Sequence, residues 1–198
     1  MRTSFAAAFG FVFCLALTSC MTESAQPISS PTTAVADPRF IGDWRGSEGD
    51  EKTYRFLPTK TAWMHVIVIP SPNESSSKAN LEVGKFCDAF PSVIGKNTFL
   101  NILLYDDDGQ RSKNYLLLRY KFSHGNRRIR MWTMEQDYLI DAIAKGKLKG
   151  KIEQETFNKN VLLQDTSANI LKYIQTANIG DLFDEELEPL RQATPAKK

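Results

Sequence analysis

The middle of the chain carries three strand-like segments joined by very short turns, and this spacing constrains the fold more than any other feature of the sequence. The turns at 106–109 and 124–126 contain Gly together with Asp or Asn, which tight hairpin turns favour. Strands with such short connections pair antiparallel, because a parallel pair needs a crossover of a dozen or more residues. An antiparallel meander is therefore predicted over the segments 98–105, 114–122 and 128–133.

Strand and helix patterns continue on both sides of this meander. Upstream, aromatic and β-branched residues or period-two alternation predict strands over 40–45, 53–57, 61–69 and 81–87, and Phe90-Pro91-Ser92 predicts a turn.

Downstream, apolar residues at helical spacing predict a helix over 138–147, a second helix capped by Thr166 or Ser167, and a short helical piece over 181–187. Two more strands are predicted between the first two helices, at 149–154 and 160–164.

These patterns predict a mainly β fold of the α+β class. We expect an antiparallel meander that forms a barrel or a sandwich, with two or three helices near the C-terminus. Residues 39–191 are predicted to be one globular domain, long enough to bury roughly 68–70% of its unfolded surface. Residues 20–38 are rich in Ser, Thr, Ala and Pro and predict a disordered tether, and 192–198 predict a disordered tail.

The N-terminus has the three parts of a secretory signal. One positive charge, Arg2, precedes an uncharged and mostly apolar run over 5–17, which is too short to span a bilayer. The run ends in Leu17-Thr18-Ser19-Cys20, which resembles the lipobox of bacterial lipoproteins. The resemblance implies a signal peptide over 1–19, cleavage before Cys20 and a lipid on the Cys20 sulfur. Met21 stands where Asp would retain such a protein at the inner membrane, so the resemblance favours the outer membrane of the bacterial cell envelope.

Export leaves few cysteines and a balanced charge. With Cys14 in the signal and Cys20 lipidated, only Cys87 remains, and a single cysteine forms no internal disulfide. The chain has 25 Lys and Arg against 23 Asp and Glu. This balance provides no global basic field for nucleic acid, so we expect no nucleic-acid partner.

Gly42-Asp43-Trp44 resembles the Gly-x-Trp motif that opens the first strand of lipocalins and related calycin barrels. The resemblance implies a lipocalin-like barrel whose floor is closed by Trp44, and a cavity for an apolar ligand. The alternative is that Trp44 is a core residue of another kind of β domain. A second stretch, 141–150 with Leu182-Phe183, resembles uncharacterised bacterial envelope lipoproteins and implies no activity.

One local charge asymmetry is a candidate anion-binding face. Alternation with apolar neighbours predicts that four basic residues point outward from a hairpin, and Trp132 continues that face. Such a face could bind phosphate, anionic glycan or lipid headgroups, or it could be a solvated surface that prevents aggregation. The four residues are Arg119, Lys121, Arg128 and Arg130.

No catalytic, metal or cofactor signature emerges from the remaining motifs. The turn at 106–109 has Asp and Gly but lacks the acidic ligands of an EF-hand at the required spacing. The only histidines, His65 and His124, have no zinc-ligand pattern around them. Cys87 with either histidine would make a thiol dyad, or Cys87 is a small core residue.

The sequence supports three hypotheses for function. The first is a membrane-anchored envelope lipoprotein that binds an apolar or anionic envelope ligand without catalysis. The second is an envelope hydrolase that uses Cys87 or scattered acidic residues, and the third is a structural or assembly accessory of an envelope complex.

Overall fold

Eight antiparallel strands close into a barrel, and three short helices follow near the C-terminus. The computed structural model describes residues 22–46, 52–70, 84–106, 108–154 and 159–193. The strands are β1 (Glu23–Ser24), β2 (Gly42–Arg45), β3 (Thr53–Pro58), β4 (Met64–Ile69), β5 (Gly84–Ile94), β6 (Asn97–Leu104), β7 (Tyr115–Ser123), β8 (Arg128–Trp132), β9 (Gly150–Gln154), β10 (Lys159–Leu163) and β11 (Leu190–Gln192). The helices are α1 (Gln136–Ala144), α2 (Ser167–Thr176) and α3 (Ile179–Leu182).

The barrel is a meander closed by one distant strand. Strands β2 to β8 pair in sequence order, and β11 lies between β8 and β2. A smaller arm of β1, β10 and β9 continues from β7, with β1 parallel to β10. The predicted mainly β fold and its barrel alternative are confirmed.

The second helix begins at the cap that the sequence predicts, the first lies at Gln136–Ala144 where 138–147 was expected, and the short helical piece expected over 181–187 lies at Ile179–Leu182. The Thr166 hydroxyl accepts a hydrogen bond from the Asn169 amide and starts α2. Ile170 and Ile174 on one face of α2 are buried, and with α1 and α3 they cover the outer face of β6 and β7. The domain therefore has two apolar cores, one inside the barrel and one beneath the helices.

The predicted turn at Phe90-Pro91-Ser92 is wrong, because β5 runs through it without interruption. Pairing between β4 and β5 ends at Ala89, so Pro91 lies where β5 has β6 as its only neighbour. A strand tolerates proline at such a position, since its missing N–H removes no bond from a second neighbour.

The segment predicted as a disordered tether is ordered from Thr22 onward, so that prediction is wrong for the described residues. Glu23 pairs with Leu116 of β7 and Leu162 of β10, and Ile28 is fully buried. The Ile28 amide donates to the buried Asn101 side chain at 2.8 Å. Composition underestimated this segment because distant parts of the chain supply its partners, namely backbone groups, polar side chains such as Asn101 and Asn114, and the apolar core around Ile28.

Candidate functional site

The four basic residues predicted to point outward do so. On β7 and β8 their neighbours, Tyr120 and Ile129 among them, fill the barrel interior, so the alternate side chains face outward. Lys121 lies directly opposite Arg130 in the β7–β8 register. The same register places Arg119 opposite Trp132.

Closure of the barrel adds two arginines that the sequence analysis missed. Arg191 of β11 pairs with Arg128 on one side and with Arg45 of β2 on the other. We call these three residues the arginine row. Together with Arg119, Lys121 and Arg130 they form the basic face. No local pattern could reveal the row, because it depends on how β11 pairs with strands that are distant in sequence.

Acidic side chains approach this face at two places, Glu186 beside Arg130 and Asp43 beside Arg45. The hydrogen bond from Arg55 and the charges of Arg55 and Arg45 lower the pKa of Asp43. The Arg130 guanidinium donates from Nε to Glu186 Oε1 at 2.6 Å, and this hydrogen bond lowers the pKa of Glu186. Glu185 accepts from Thr133 nearby. Among the described residues no carboxylate forms an ion pair with Lys121 or with any member of the arginine row.

The side chains of the face are partly desolvated and in contact with an aromatic ring. The guanidinium carbons of Arg119 and Arg130 lie 5.4 and 4.9 Å from the Trp132 ring centroid. Burial lowers the pKa of Arg119, and the Nε atoms of Arg119 and Arg128 are buried with no hydrogen-bond partner in the described structure.

Like charges face each other repeatedly across these strands. Directly opposite residues in antiparallel pairs have Cβ atoms about 4.5–5.5 Å apart, where like charges destabilise the sheet. The pairs Lys121 with Arg130, Arg128 with Arg191 and Arg191 with Arg45 all have this arrangement. A bound anion would relieve the repulsion through charge-assisted hydrogen bonds.

Trp44 lies inside the barrel and is 0% exposed. Its indole N–H donates to the Phe40 carbonyl at 2.6 Å, and its ring lies 5.9 Å from that of Phe122. The Phe40 ring packs against the rings of Phe56, Tyr120 and Phe122, with ring centroids 4.8–5.4 Å apart. Aromatic side chains thus occupy the interior around Trp44.

A second polar cluster lies on the opposite side of the barrel, around Asp88. The Asp88 carboxylate is 6% exposed and accepts hydrogen bonds from His65 Nδ1 at 2.6 Å and from the Tyr105 hydroxyl at 2.7 Å. Lys85 and Arg111 approach it at 3.3 and 3.4 Å. Burial alone would raise the pKa of Asp88, but these hydrogen bonds and the Lys85 charge hold it below its ordinary value.

Cys87 and His65 do not form the thiol dyad that the sequence left open. Cys87 points into the barrel core, whereas His65 pairs with Asp88 on the outer face of the same sheet. Burial also raises the pKa of the Cys87 thiol, which disfavours the reactive thiolate. Cys87 is therefore a core residue.

The remaining predicted sites are structural turns or lie outside the described residues. The Asp106 backbone closes the hairpin turn by bonding to Gly109 and Gln110, and no group of three or more His, Cys, Asp or Glu in the described ranges could hold a metal ion. None of the helices within those ranges has the length and apolar character that crossing a membrane requires. Cys20 and the signal segment 1–19 lie outside the described residues.

Comparison with known proteins does not assign a family. No family model, no curated protein and no solved structure matches this chain. The closed eight-stranded antiparallel barrel is compatible with a lipocalin-like barrel.

Proposed function

We propose that this protein is a lipid-anchored lipoprotein of the bacterial envelope, on the outer membrane, whose lipocalin-like barrel binds an anionic ligand on its outer surface without catalysis. The arginine row carries this proposal, because three like charges lie in register across β8, β11 and β2. Asp43 and Glu186 act on Arg45 and Arg128 from a distance, but no described carboxylate forms a close ion pair with any of the three arginines. The packed aromatic interior around Trp44 gives less support to an apolar ligand held inside. The separation of Cys87 from His65 gives less support to a thiol hydrolase.

Replacing the arginine row should weaken binding to a polyanion. Changing Arg45, Arg128 and Arg191 together to Gln should weaken binding to dextran sulfate at least tenfold. Binding by the unmodified chain should also weaken as the salt concentration is raised, because the Debye length falls from about 10 Å at 0.1 M to about 3 Å at 1 M. Binding is measured by titration calorimetry at low and high salt. The matched control changes three exposed lysines elsewhere to Gln, namely Lys96, Lys147 and Lys172. Equal losses of affinity in both variants would show that binding depends only on net charge and would contradict a specific site.

The lipid anchor has an independent test. Cys20→Ser should prevent lipid attachment and leave an uncleaved precursor, because cleavage in this class of protein follows lipidation. Mass spectrometry of the N-terminal peptide from the envelope fraction decides the point. A wild-type peptide that begins at Cys20 without acyl mass would contradict the anchor and leave the anion-binding face untouched.

A further inference from the structure

The N-terminal segment leaves almost no slack between the expected anchor and the folded domain. Thr22 is 5% exposed and Ser24 is fully buried, and the next residue, Ala25, donates its amide to the Leu163 carbonyl at 2.8 Å. Cys20 precedes Thr22 by two residues, which span at most about 7 Å. A lipid on Cys20 would therefore hold the barrel directly against the membrane.

The ordered segment begins beside the basic face. Strands β1 and β8 pair with the same edge of β7, since β6 occupies the other edge along both stretches. Glu23 is opposite Leu116, and Trp132 is opposite Arg119, three residues or about 10 Å further along β7. The arginine row crosses β8 at Arg128, about 13 Å beyond Trp132.

We propose that the basic face lies flat on the anionic headgroup layer of the membrane that holds the lipid on Cys20. This inference rests on the proposed function and names its ligand. Charge complementarity selects this side of the barrel, because Lys121 and the arginine row form no close ion pair with a described carboxylate. The basic face has six cationic side chains, and only Asp43 and Glu186 act on them electrostatically among the described acids with a lowered pKa. Basic residues near an anionic membrane surface are attracted to it, and tryptophan favours the headgroup region, where Trp132 would lie.

This orientation also determines which side of the barrel faces the aqueous space. In the cyclic order of the eight barrel strands, β4 is directly opposite β8 and β5 is opposite β11. The cluster of Asp88, His65 and Lys85 therefore faces away from the membrane, as does Trp63, which packs on Phe90 of β5.

The two outward-facing tryptophans supply a direct test. The chain from Cys20 onward is coupled through its thiol to a maleimide lipid in vesicles that contain phosphatidylglycerol, with a nitroxide on a fraction of the headgroups. Cys87 is buried and its pKa is raised, so coupling is directed to Cys20. W63F retains Trp132 and W132F retains Trp63, while Trp44 in the core is common to both.

The fluorescence of W63F should be quenched at least twofold more strongly than that of W132F. The difference should disappear in vesicles of phosphatidylcholine alone, at 1 M salt, and when Arg45, Arg128 and Arg191 are changed to Gln. Stronger quenching of W132F would place the opposite side on the membrane and overturn the inference. Equal quenching with dextran sulfate binding intact would also overturn it, in favour of a soluble anionic glycan or partner, while the proposed function would stand. Loss of binding to both probes would overturn both.

Discussion

Trp44→Ala should lower the free energy of unfolding by about 3–5 kcal/mol, as deletion of a large aromatic side chain from a core does. Trp44 is fully buried, and its ring lies in the aromatic cluster that Phe40 and Phe122 share at one end of the barrel. The change leaves a cavity and also removes the donor to the Phe40 carbonyl. A domain of this size has only about 5–15 kcal/mol in total, so the variant should be marginally folded.

Urea denaturation followed by circular dichroism measures this loss. Trp44→Phe serves as the graded control, because it keeps a ring in the core and loses the N–H donor and part of the volume, so its loss should be smaller. Unfolding of Trp44→Ala at the wild-type midpoint would place Trp44 outside the core and remove the physical basis for the likeness to the lipocalin motif.

Asp88→Asn should lower the free energy of unfolding by about 2–3 kcal/mol near neutral pH, which is the usual contribution of hydrogen bonds to a charged group. The change removes the charge that His65, Tyr105 and Lys85 stabilise while keeping the shape of the side chain. The loss stays below that of a fully buried pair, since the cationic partners are partly exposed to water.

The cost of Asp88→Asn should depend on pH. The pKa of Asp88 is lowered in the folded state, so its contribution to stability is complete above its unfolded pKa of about 3.9 and disappears as pH falls through the folded value. The free energies of unfolding of wild type and Asp88→Asn should therefore differ most above about pH 5 and become equal as the solution is acidified. Asp141→Asn, which removes an exposed helical pair with Lys145, should cost under about 0.5 kcal/mol at any pH. A pH-independent difference for Asp88→Asn would show that the carboxylate is not ionised in the fold.

Strong local signals predicted most of the secondary structure. Hairpin turns between apolar segments predicted the meander from β6 to β8, and the Thr166 cap predicted the start of α2. Errors arose where a tertiary neighbour supplied what the local sequence lacks. Pro91 lies inside β5 because β4 has already ended there, and residues 22–28 are ordered because β7, β10 and Asn101 bond to their backbone.

The candidate site likewise has one part that the sequence predicted and one part that only the fold brings together. Alternation along β7 and β8 placed Arg119, Lys121, Arg128 and Arg130 on one side of a hairpin, because side chains of a strand alternate between faces whatever the fold. The cluster around Asp88 joins side chains from β4, β5 and the end of β6, and no sequence spacing connects them.

The sequence by itself determined the strands and hairpins of the meander from β6 to β8 and the direction of each side chain within a hairpin, since these follow from backbone sterics and from apolar period over a few residues. Only the tertiary structure decided that β11 closes the barrel and that Arg191 lies between Arg128 and Arg45. It also decided that the N-terminal segment packs against β7 beside that face. Pairing of β11 depends on the strand edges that the meander from β2 to β8 leaves free before the barrel closes, and no local pattern encodes that.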